Sequence, residues 1–299
     1  MNTIHCARID LGHARAGIQP LGRETLEHGW FGFGALRDLG SGGEDFLALS
    51  TGLLTGTGAP GSGGMTWCLR RGGVFQCVPA EGRLGAALRY GGIDHLVFQG
   101  SCGGPYMLNI TVCGGEITLK RTSNRPFMAF KDAWRARPEE DSVIAVVGRD
   151  CVTEDNFFAI GSQTVAAALR ERGVGSLTVS SSGGLPLADS RGFLQKSVEL
   201  WARRRNASPS ADMEHPAACL SPLPGIRKSD SELLHALEEE DLEGRLLAAL
   251  GLFRWSEGCA GSLEDAAELA GAYLGRAVGA EDLRSAAAEL PWSGKGGEE

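Results

Sequence analysis

Short apolar runs separated by glycine-rich turns fill the first half of the chain, and each run has the length and composition of a β-strand. Between the last two of the six runs below, Gly114-Gly115 is a two-residue hairpin signal. A further buried strand is predicted at DSVIAVVG, Asp141–Gly148. The six runs are TIHCARID, DFLALST, MTWCL, DHLVFQG, YMLNITVC and GEITLKR.

The hydrophobic period lengthens after residue 152, and two helices are predicted on either side of one strand. TEDNFFAIGSQTVAAALRERG predicts a helix, ADSRGFLQKSVELWARRRN predicts another with Asp189 or Ser190 as N-cap, and SLTVSSSGG between them predicts a strand and turn. The first helix would place four apolar residues roughly on one face: Phe157, Ile160, Val165 and Leu169.

Proline-rich sequence then separates this mixed part from a helical one. Residues 206–228 are predicted to be a linker, because their prolines are incompatible with a regular element. Residues 229–290 contain only helix patterns, with capping boxes at Ser229/Glu232 and, more weakly, at Ser262/Asp265. We expect residues 1–205 to form an α+β domain, residues 229–290 to form a small helical region packed on it, and residues 291–299 to be disordered.

Composition narrows the classes of function. The 299 residues carry a net charge of -8, which argues against a nucleic-acid partner. No apolar run approaches the roughly 20 residues of a membrane span, and the N-terminus has no signal-peptide pattern. The eight cysteines are scattered without a C-x-x-C pair, which favours reduced thiols in a cytoplasmic protein.

The loop TGTGAPGSGG raises the question of a bound anion, because glycine lets backbone N–H groups approach a phosphate. Its GTGAPG formally matches the dinucleotide motif G-x-G-x-x-G, but the run after it is a strand where that motif needs a helix. A P-loop is excluded because Ser62 stands where the phosphate-binding lysine belongs. A ligand-cradling loop and a wide turn between strands both remain open.

A family resemblance covers residues 6 to about 195 and continues more weakly to the C-terminus. TGLLTGTGAPGSGG, followed by GRLGAALRYGGIDHLVFQGSCGGPYMLNI, resembles the N-terminal domain of the aldehyde ferredoxin oxidoreductase family, which carries GPLTGT.AP..GR and GG.FG.ELK.AGYD.IV.EGKA..PVY. The opening ARIDLGHARAGIQPL is similar to that family's first strand pair, and RERGVGSL is similar to its GRGGVGAV.

The resemblance implies a fold and a chemistry. It implies paired sheets that form a base for a tungsten-bound pair of pterins, with helical domains above. Enzymes of the family oxidise aldehydes to acids and pass electrons through a [4Fe-4S] cluster to ferredoxin. The positions that the resemblance assigns to a vestigial pterin site are Thr55, Gly56, Thr57, Gly58, Arg172, Gly173 and Gly175.

This sequence departs from the family pattern where the chemistry lies. Iron–sulfur clusters need thiolate ligands, and the four ligand positions here are Ala218, Ser221, Gly225 and Phe253, so we expect no cluster.

On the pterin face, Gly64 replaces an arginine and Glu81 introduces a repelling charge. Four arginines could compensate in part: Arg70, Arg71, Arg83 and Arg172. No catalytic set is apparent, and His95 is expected to be a packed or hydrogen-bonded residue.

Three hypotheses of function follow. The first is a degenerate family member, a pseudoenzyme without its own redox chemistry or confident cofactor, that acts as a structural or regulatory partner of another copy or of a full-length relative. The second is a shortened tungsten- or molybdenum-pterin subunit acting on aldehydes, with its cluster supplied by another chain. The third is an anion-binding module that uses the loop from Thr55 to Gly64. For the first, we expect an interface centred on residues 64–84, with the apolar residues Met65, Trp67, Val74, Phe75 and Val78.

Overall fold

The computed structural model describes residues 4–21, 45–72, 74–155, 158–181, 183–185, 187–206, 246–247, 249–252 and 262–288. Two six-stranded mixed sheets form the centre of this part of the chain. The first sheet has the strand order β2-β1-β6-β3-β4-β5. Its elements, with helix α1 before the last strand, are β1 (His5–Asp10), β2 (Arg15–Pro20), β3 (Phe46–Thr51), β4 (Gly64–Arg71), β5 (Val74–Glu81), α1 (Arg83–Tyr90) and β6 (His95–Gln99).

The second sheet follows along the chain and has the order β11-β10-β9-β12-β7-β8. Its hairpin β7–β8 turns at Gly114 and Gly115, both with positive φ, as the two-residue turn predicts. The elements are β7 (Met107–Cys113), β8 (Glu116–Thr122), α2 (Pro126–Ala136), β9 (Val143–Val147), β10 (Val152–Glu154), β11 (Phe158–Gly161), α3 (Gln163–Glu171) and β12 (Val174–Ser180).

The two sheets are copies of one topology. β1 pairs parallel with β6, and β7 pairs parallel with β12. In the same way, β3 lies antiparallel to β6, and β9 lies antiparallel to β12. The helices before β6 and β12 share the sequence A-A-L-R at Ala86–Arg89 and at Ala167–Arg170. In each copy the arginine Nη1 donates to two carbonyls of the loop after the corresponding strand, after β3 for Arg89 and after β9 for Arg170. The repeat in sequence is therefore a repeat in hydrogen bonding.

The main core lies between the sheets because each strand turns alternate side chains toward the other sheet. Leu47, Leu49 and Phe98 of the first sheet belong to one buried cluster with Ile110 and Val179 of the second. Trp67 is 1% exposed, and its indole N–H donates to the Ile160 carbonyl over 2.5 Å, so a polar contact also joins the sheets.

Helices α4 (Ser190–Asn206), α5 (Leu263–Leu274) and α6 (Ala280–Ala288) follow the sandwich, and α4 and α5 pack together. Residues 249–252 and α5 share a second buried cluster with Cys6, Ala48 and Val97 on the outer face of the first sheet. Asp265 joins α5 to α4, because its carboxylate accepts from Lys196 at 2.7 Å and from Arg203 at 3.0 and 3.1 Å. The described helical residues therefore pack on the sandwich, as expected.

One predicted helix is wrong in its first half. Residues 152–154 and 158–161 form strands that pair with each other, and the helix begins only at Gln163, with Ser162 as N-cap. The apolar spacing of this stretch suits a helix, but Ile160 is buried in the inter-sheet core from an edge strand. Tertiary pairing overrides the local pattern here.

Other elements agree with the sequence or lie outside the described residues. Asp189 Oδ1 accepts from the Gly192 N–H at the start of α4, and the Ser262/Asp265 capping box is formed. The hydrophobic pattern of the sequence did not predict three elements that the structure contains: α1, α2 and β5. Asn206, the first residue of the predicted linker, ends α4. The rest of the linker, the Ser229 capping box and the tail lie outside the described residues, so the predicted boundaries stay predictions.

Candidate functional site

The glycine loop between β3 and β4 folds around the hydroxyl of Thr55. This residue is fully buried; its Oγ1 donates to the Gly64 carbonyl at 2.6 Å and accepts from the Gly52 N–H at 2.9 Å. Gly56 and Gly58 have φ values of 76° and 82°, which the absence of a β-carbon permits. No helix opens at the loop, since Gly64 begins β4, so the rejection of the dinucleotide motif is confirmed.

The loop receives a segment of the chain's own backbone. The Leu54 N–H donates to the Leu250 carbonyl at 2.8 Å, and the Gly64 N–H donates to the Gly251 carbonyl at 3.1 Å. A β-carbon on Gly52 would lie 2.2 Å from the carbonyl carbon of Leu250. Gly52, Gly64 and Gly251 are thus needed because two backbone segments meet here without room for side chains.

Arg89 fixes the same loop from the side of α1. It is 8% exposed, and its Nη1 donates to the carbonyls of Leu53 and Thr55, each at 2.7 Å. Its Nε lies 3.5 Å from an oxygen of Asp94, and the hydroxyl of the neighbouring Tyr90 donates to the Gly56 carbonyl. Loop carbonyls therefore accept the hydrogen bonds of the Nη1 group of this guanidinium.

The N-terminus of α1 already has an anionic partner. Glu154, 2% exposed on β10, accepts from the Arg83 N–H at 3.0 Å and from the Leu84 N–H at 2.9 Å. Burial raises the pKa of this carboxyl, and the two backbone hydrogen bonds oppose the rise. Glu81 is also buried here, at the edge of the glycine loop, and its Cγ would lie 3.2 Å from a β-carbon on Gly63.

The other three residues of the predicted pterin site lie around the start of β12 and not in the glycine loop: they are Arg172, Gly173 and Gly175. The carbonyls of Arg172 and Gly173 accept from the N–H groups of Cys102 and Leu108, at 2.9 and 2.7 Å. A β-carbon on Gly175 would lie 3.0 Å from side-chain atoms of Met107 and Thr122. These positions fasten the start of β12 to the chain entering β7.

Arg172 lines a cavity of about 730 Å³ that no residue of Thr55–Gly58 lines. Arg172 lines it together with Asp45 and Phe46, at the start of β3, whereas Thr55–Gly58 follow the end of that strand. Arg70 and Arg71 line the same cavity, and Arg83 lies 3.2 Å from Asp155. The structure therefore brings Thr55, Gly56, Thr57 and Gly58 together with Glu81, but groups Arg172 with Arg70 and Arg71 at the opposite end of β3.

His95 packs inside the first sheet, as expected. It is fully buried, and its Nδ1 lies 2.6 Å from the Oγ of Ser50 on β3. Its Nε2 has no hydrogen-bond partner among the described residues. Burial lowers the pKa of the imidazole to about 4, Asp94 acts to raise it and Arg89 to lower it, so the ring is neutral at pH 7.

The interface expected over residues 64–84 is wrong for three of its apolar residues, because they are buried. Met65 and Trp67 are each 1% exposed and Val78 is 7% exposed, and all three belong to the inter-sheet core. Nothing is described of the side chains of Val74 and Phe75. The alternation of β4 and β5 places Met65, Trp67 and Val78 inside the sandwich.

Sequence reasoning missed Glu154, Arg89 and the Leu250–Gly251 segment, which together determine what the glycine loop contacts. The repeated A-A-L-R was a usable signal for Arg89. In the described part of the chain, no group of three or more His, Cys, Asp or Glu side chains is placed to hold a metal ion. No described helix is both long and apolar enough to cross a bilayer.

Comparison with known proteins agrees with this architecture. Residues 40–180 match the model of the aldehyde ferredoxin oxidoreductase N-terminal domain. A solved structure described as the active site complex BamBC of benzoyl coenzyme A reductase, with 1,5-dienoyl-CoA, is similar at a TM-score of 0.60 and 14% identity. The likeness covers 68% of this chain and 34% of that chain, so this chain spans about a third of its length. No curated protein matches. The two-sheet α+β fold therefore agrees with the match of residues 40–180 to the N-terminal domain of aldehyde ferredoxin oxidoreductases.

Proposed function

We propose that this chain is a family member without redox chemistry of its own, a pseudoenzyme that acts as a structural or regulatory partner of another protein. The observation that carries the proposal is the contact between the glycine loop and the Leu250–Gly251 backbone. A loop that would otherwise present free N–H groups to a ligand presents those of Leu54 and Gly64 to the chain itself.

The residues around the loop do not fit an anionic pterin. The family implies a tungsten-bis-pterin, whose phosphates would require N–H groups or cationic side chains. The N–H groups at the start of α1 are taken by Glu154, and Glu81 adds a second buried carboxyl. Negative charge on these two carboxyl groups would repel a phosphate.

The iron–sulfur prediction rests on sequence. Ala218, Ser221, Gly225 and Phe253 lie outside the described residues, and none of them has a side chain that binds iron as a thiolate does. The proposal therefore includes no electron transfer through this chain.

Exposed apolar side chains supply surfaces for a partner. Leu194, Val198 and Trp201 lie four and three residues apart on α4, and their exposed fractions are 65%, 55% and 39%. Residues at this spacing share one face of a helix. A second set, Phe127, Met128 and Trp134, is exposed on α2. The partner we propose is another copy or a full-length relative, and the similar solved structure is itself described as a complex.

The alternative is a shortened tungsten- or molybdenum-pterin subunit that acts on aldehydes with a cluster from another chain. The match of residues 40–180 to the family model favours it. The two functions differ in what the purified protein holds, so metal content separates them.

The test is analysis of protein purified anaerobically from its own host. Tungsten, molybdenum, iron and oxidised pterin are assayed in the same sample as molar mass by light scattering. The proposal expects substoichiometric metal and pterin together with a homo-oligomer or a captured relative. Stoichiometric tungsten or molybdenum with pterin would overturn it in favour of the alternative.

Two double variants define the surface. Leu194→Asp with Val198→Asp should dissociate the assembly, because it places charge on the exposed apolar face of α4. Gln195→Ala with Glu199→Ala is the matched control on the same helix, where an exposed hydrogen bond of 3.3 Å is lost. Equal molar masses for both variants would exclude this face as the interface.

A further inference from the structure

We propose that Cys68 and Cys77 are a redox modification site, in which a low-molecular-weight disulfide converts the two thiols into a cross-strand disulfide. The two residues are direct partners in the register of β4 and β5. Their sulfur atoms lie 3.4 Å apart, and both cysteines are free.

The backbone at this pair has the geometry that a disulfide needs. The Gly82 N–H donates to the Gly63 carbonyl across the same ladder at 3.1 Å, which marks a hydrogen-bonded pair. Because pair types alternate along an antiparallel ladder, the Cys68–Cys77 pair five residues further along is non-hydrogen-bonded. Pro79, which has no N–H, occupies the partner position of another such pair and agrees with this assignment.

Non-hydrogen-bonded partners have Cα atoms about 4.5 Å apart, within the range of about 4.4–6.8 Å that disulfides span. Closing the bond then requires rotation of the two side chains. The backbone register stays the same in the thiol and disulfide forms.

The two thiols differ in access, which defines their roles. Cys77 is half-buried, so a small reagent reaches it, whereas Cys68 is fully buried. Burial raises the pKa of the Cys68 thiol well above its ordinary value, and the adjacent Cys77 acts in the same direction. Cys77 is therefore the entry thiol and Cys68 the resolving thiol.

The exchange balances with glutathione disulfide as the oxidant. The Cys77 thiolate attacks one sulfur of glutathione disulfide, the S–S bond breaks, and one glutathione leaves as a thiolate. The Cys68 sulfur then attacks the Cys77 sulfur, and the second glutathione leaves. The protons of both cysteine thiols, that of Cys77 by way of solvent, pass to the two leaving glutathione thiolates. Two cysteine thiols are oxidised, and one glutathione disulfide is reduced to two glutathione molecules.

The test uses the reduced full chain in buffers of graded glutathione disulfide to glutathione ratio, followed by alkylation, trypsin digestion and mass spectrometry. Trypsin cleaves after Arg70 and Arg71, which lie between the cysteines, so their peptides stay joined only when the disulfide has formed. The expected product is that joined pair, lighter by two hydrogen atoms than the separate thiol peptides and reversed by excess glutathione. Near-UV circular dichroism of the same samples reports that the fold persists.

Variants test the two roles. Cys68→Ser should leave one stable glutathionyl group on Cys77, because the resolving thiol is gone. Cys102→Ser, at another half-buried cysteine, is the control and should form the joined pair as the wild type does. A folded wild type that keeps both thiols free, that stops at the mixed disulfide, or that joins the pair only in denaturant would overturn the proposal.

Discussion

The guanidinium of Arg89 donates from Nη2 to the hydroxyl of Tyr273 over 2.8 Å and lies 5.4 Å from the centre of the same ring. Arg89 belongs to α1 inside the sandwich, whereas Tyr273 lies on α5 in the helical layer. Because Arg89 also holds the carbonyls of the glycine loop, one buried cation connects all three parts. Through Arg89, helix α5 is therefore connected to the glycine loop.

Removing the hydroxyl should weaken that connection. Tyr273→Phe deletes one acceptor of a buried cation and should lower the free energy of unfolding by about 1.5–3 kcal/mol, the usual worth of a hydrogen bond to a charged group. Urea unfolding followed by circular dichroism measures it. Tyr106→Phe is the control, since its ring remains under Arg121 at 4.1 Å. Equal losses in the two variants would contradict the assigned role.

The close backbone contact at the loop should not tolerate a methyl group. Gly52→Ala would place a β-carbon 2.2 Å from Leu250, and we expect a loss of stability of about 1–3 kcal/mol from overpacking. Limited proteolysis should also cut residues 246–252 faster, because the segment is displaced. At Gly103, where no atom lies within 4 Å of the β-carbon position, the same change should be nearly neutral.

The carboxylate at the start of α1 should act as a helix cap. Glu154→Ala leaves two N–H groups without their acceptor and should cost about 1–2 kcal/mol of unfolding free energy. Glu171→Ala is the comparison, because it removes an exposed ion pair with Arg71 at 3.5 Å and should cost less than about 1 kcal/mol. If Glu154→Ala were as stable as the wild type, Glu154 would be no cap and the proposed function would lose one of its supports.

The buried imidazole should make stability depend on acid. The pKa of His95 is about 4 in the folded chain, against 6.5 for the unperturbed residue, so the unfolded chain binds more protons between these values. Its contribution is complete above pH 6.5 and is lost as the pH falls toward 4, by about 1.4 kcal/mol per pH unit. Urea unfolding of the wild type and of His95→Gln from pH 7.5 to 4.5 should show a shallower pH slope in the variant. Parallel slopes would assign the acid sensitivity to other groups.

The sequence by itself determined the strands whose pattern is local. Phe46–Thr51, Gly64–Arg71 and Met107–Cys113 follow apolar runs, and Gly114-Gly115 fixes a turn through its backbone freedom. The order of the family motifs gave the two-sheet fold. The strands and the turn depend on residues close together in the chain, so the sequence contains their whole signal.

The tertiary structure decided what the glycine loop holds. Its glycines are compatible with an anion or with a second backbone, and the choice depends on Leu250–Gly251, nearly two hundred residues away along the chain. The grouping of Arg172 with Arg70 and Arg71 likewise follows from the position of α3, which faces the first sheet across the cavity. The strand at Phe158–Gly161 is decided by its pairing partner. In each case the deciding contact joins distant residues, and a local pattern reports only what one segment can do, not which segment it meets.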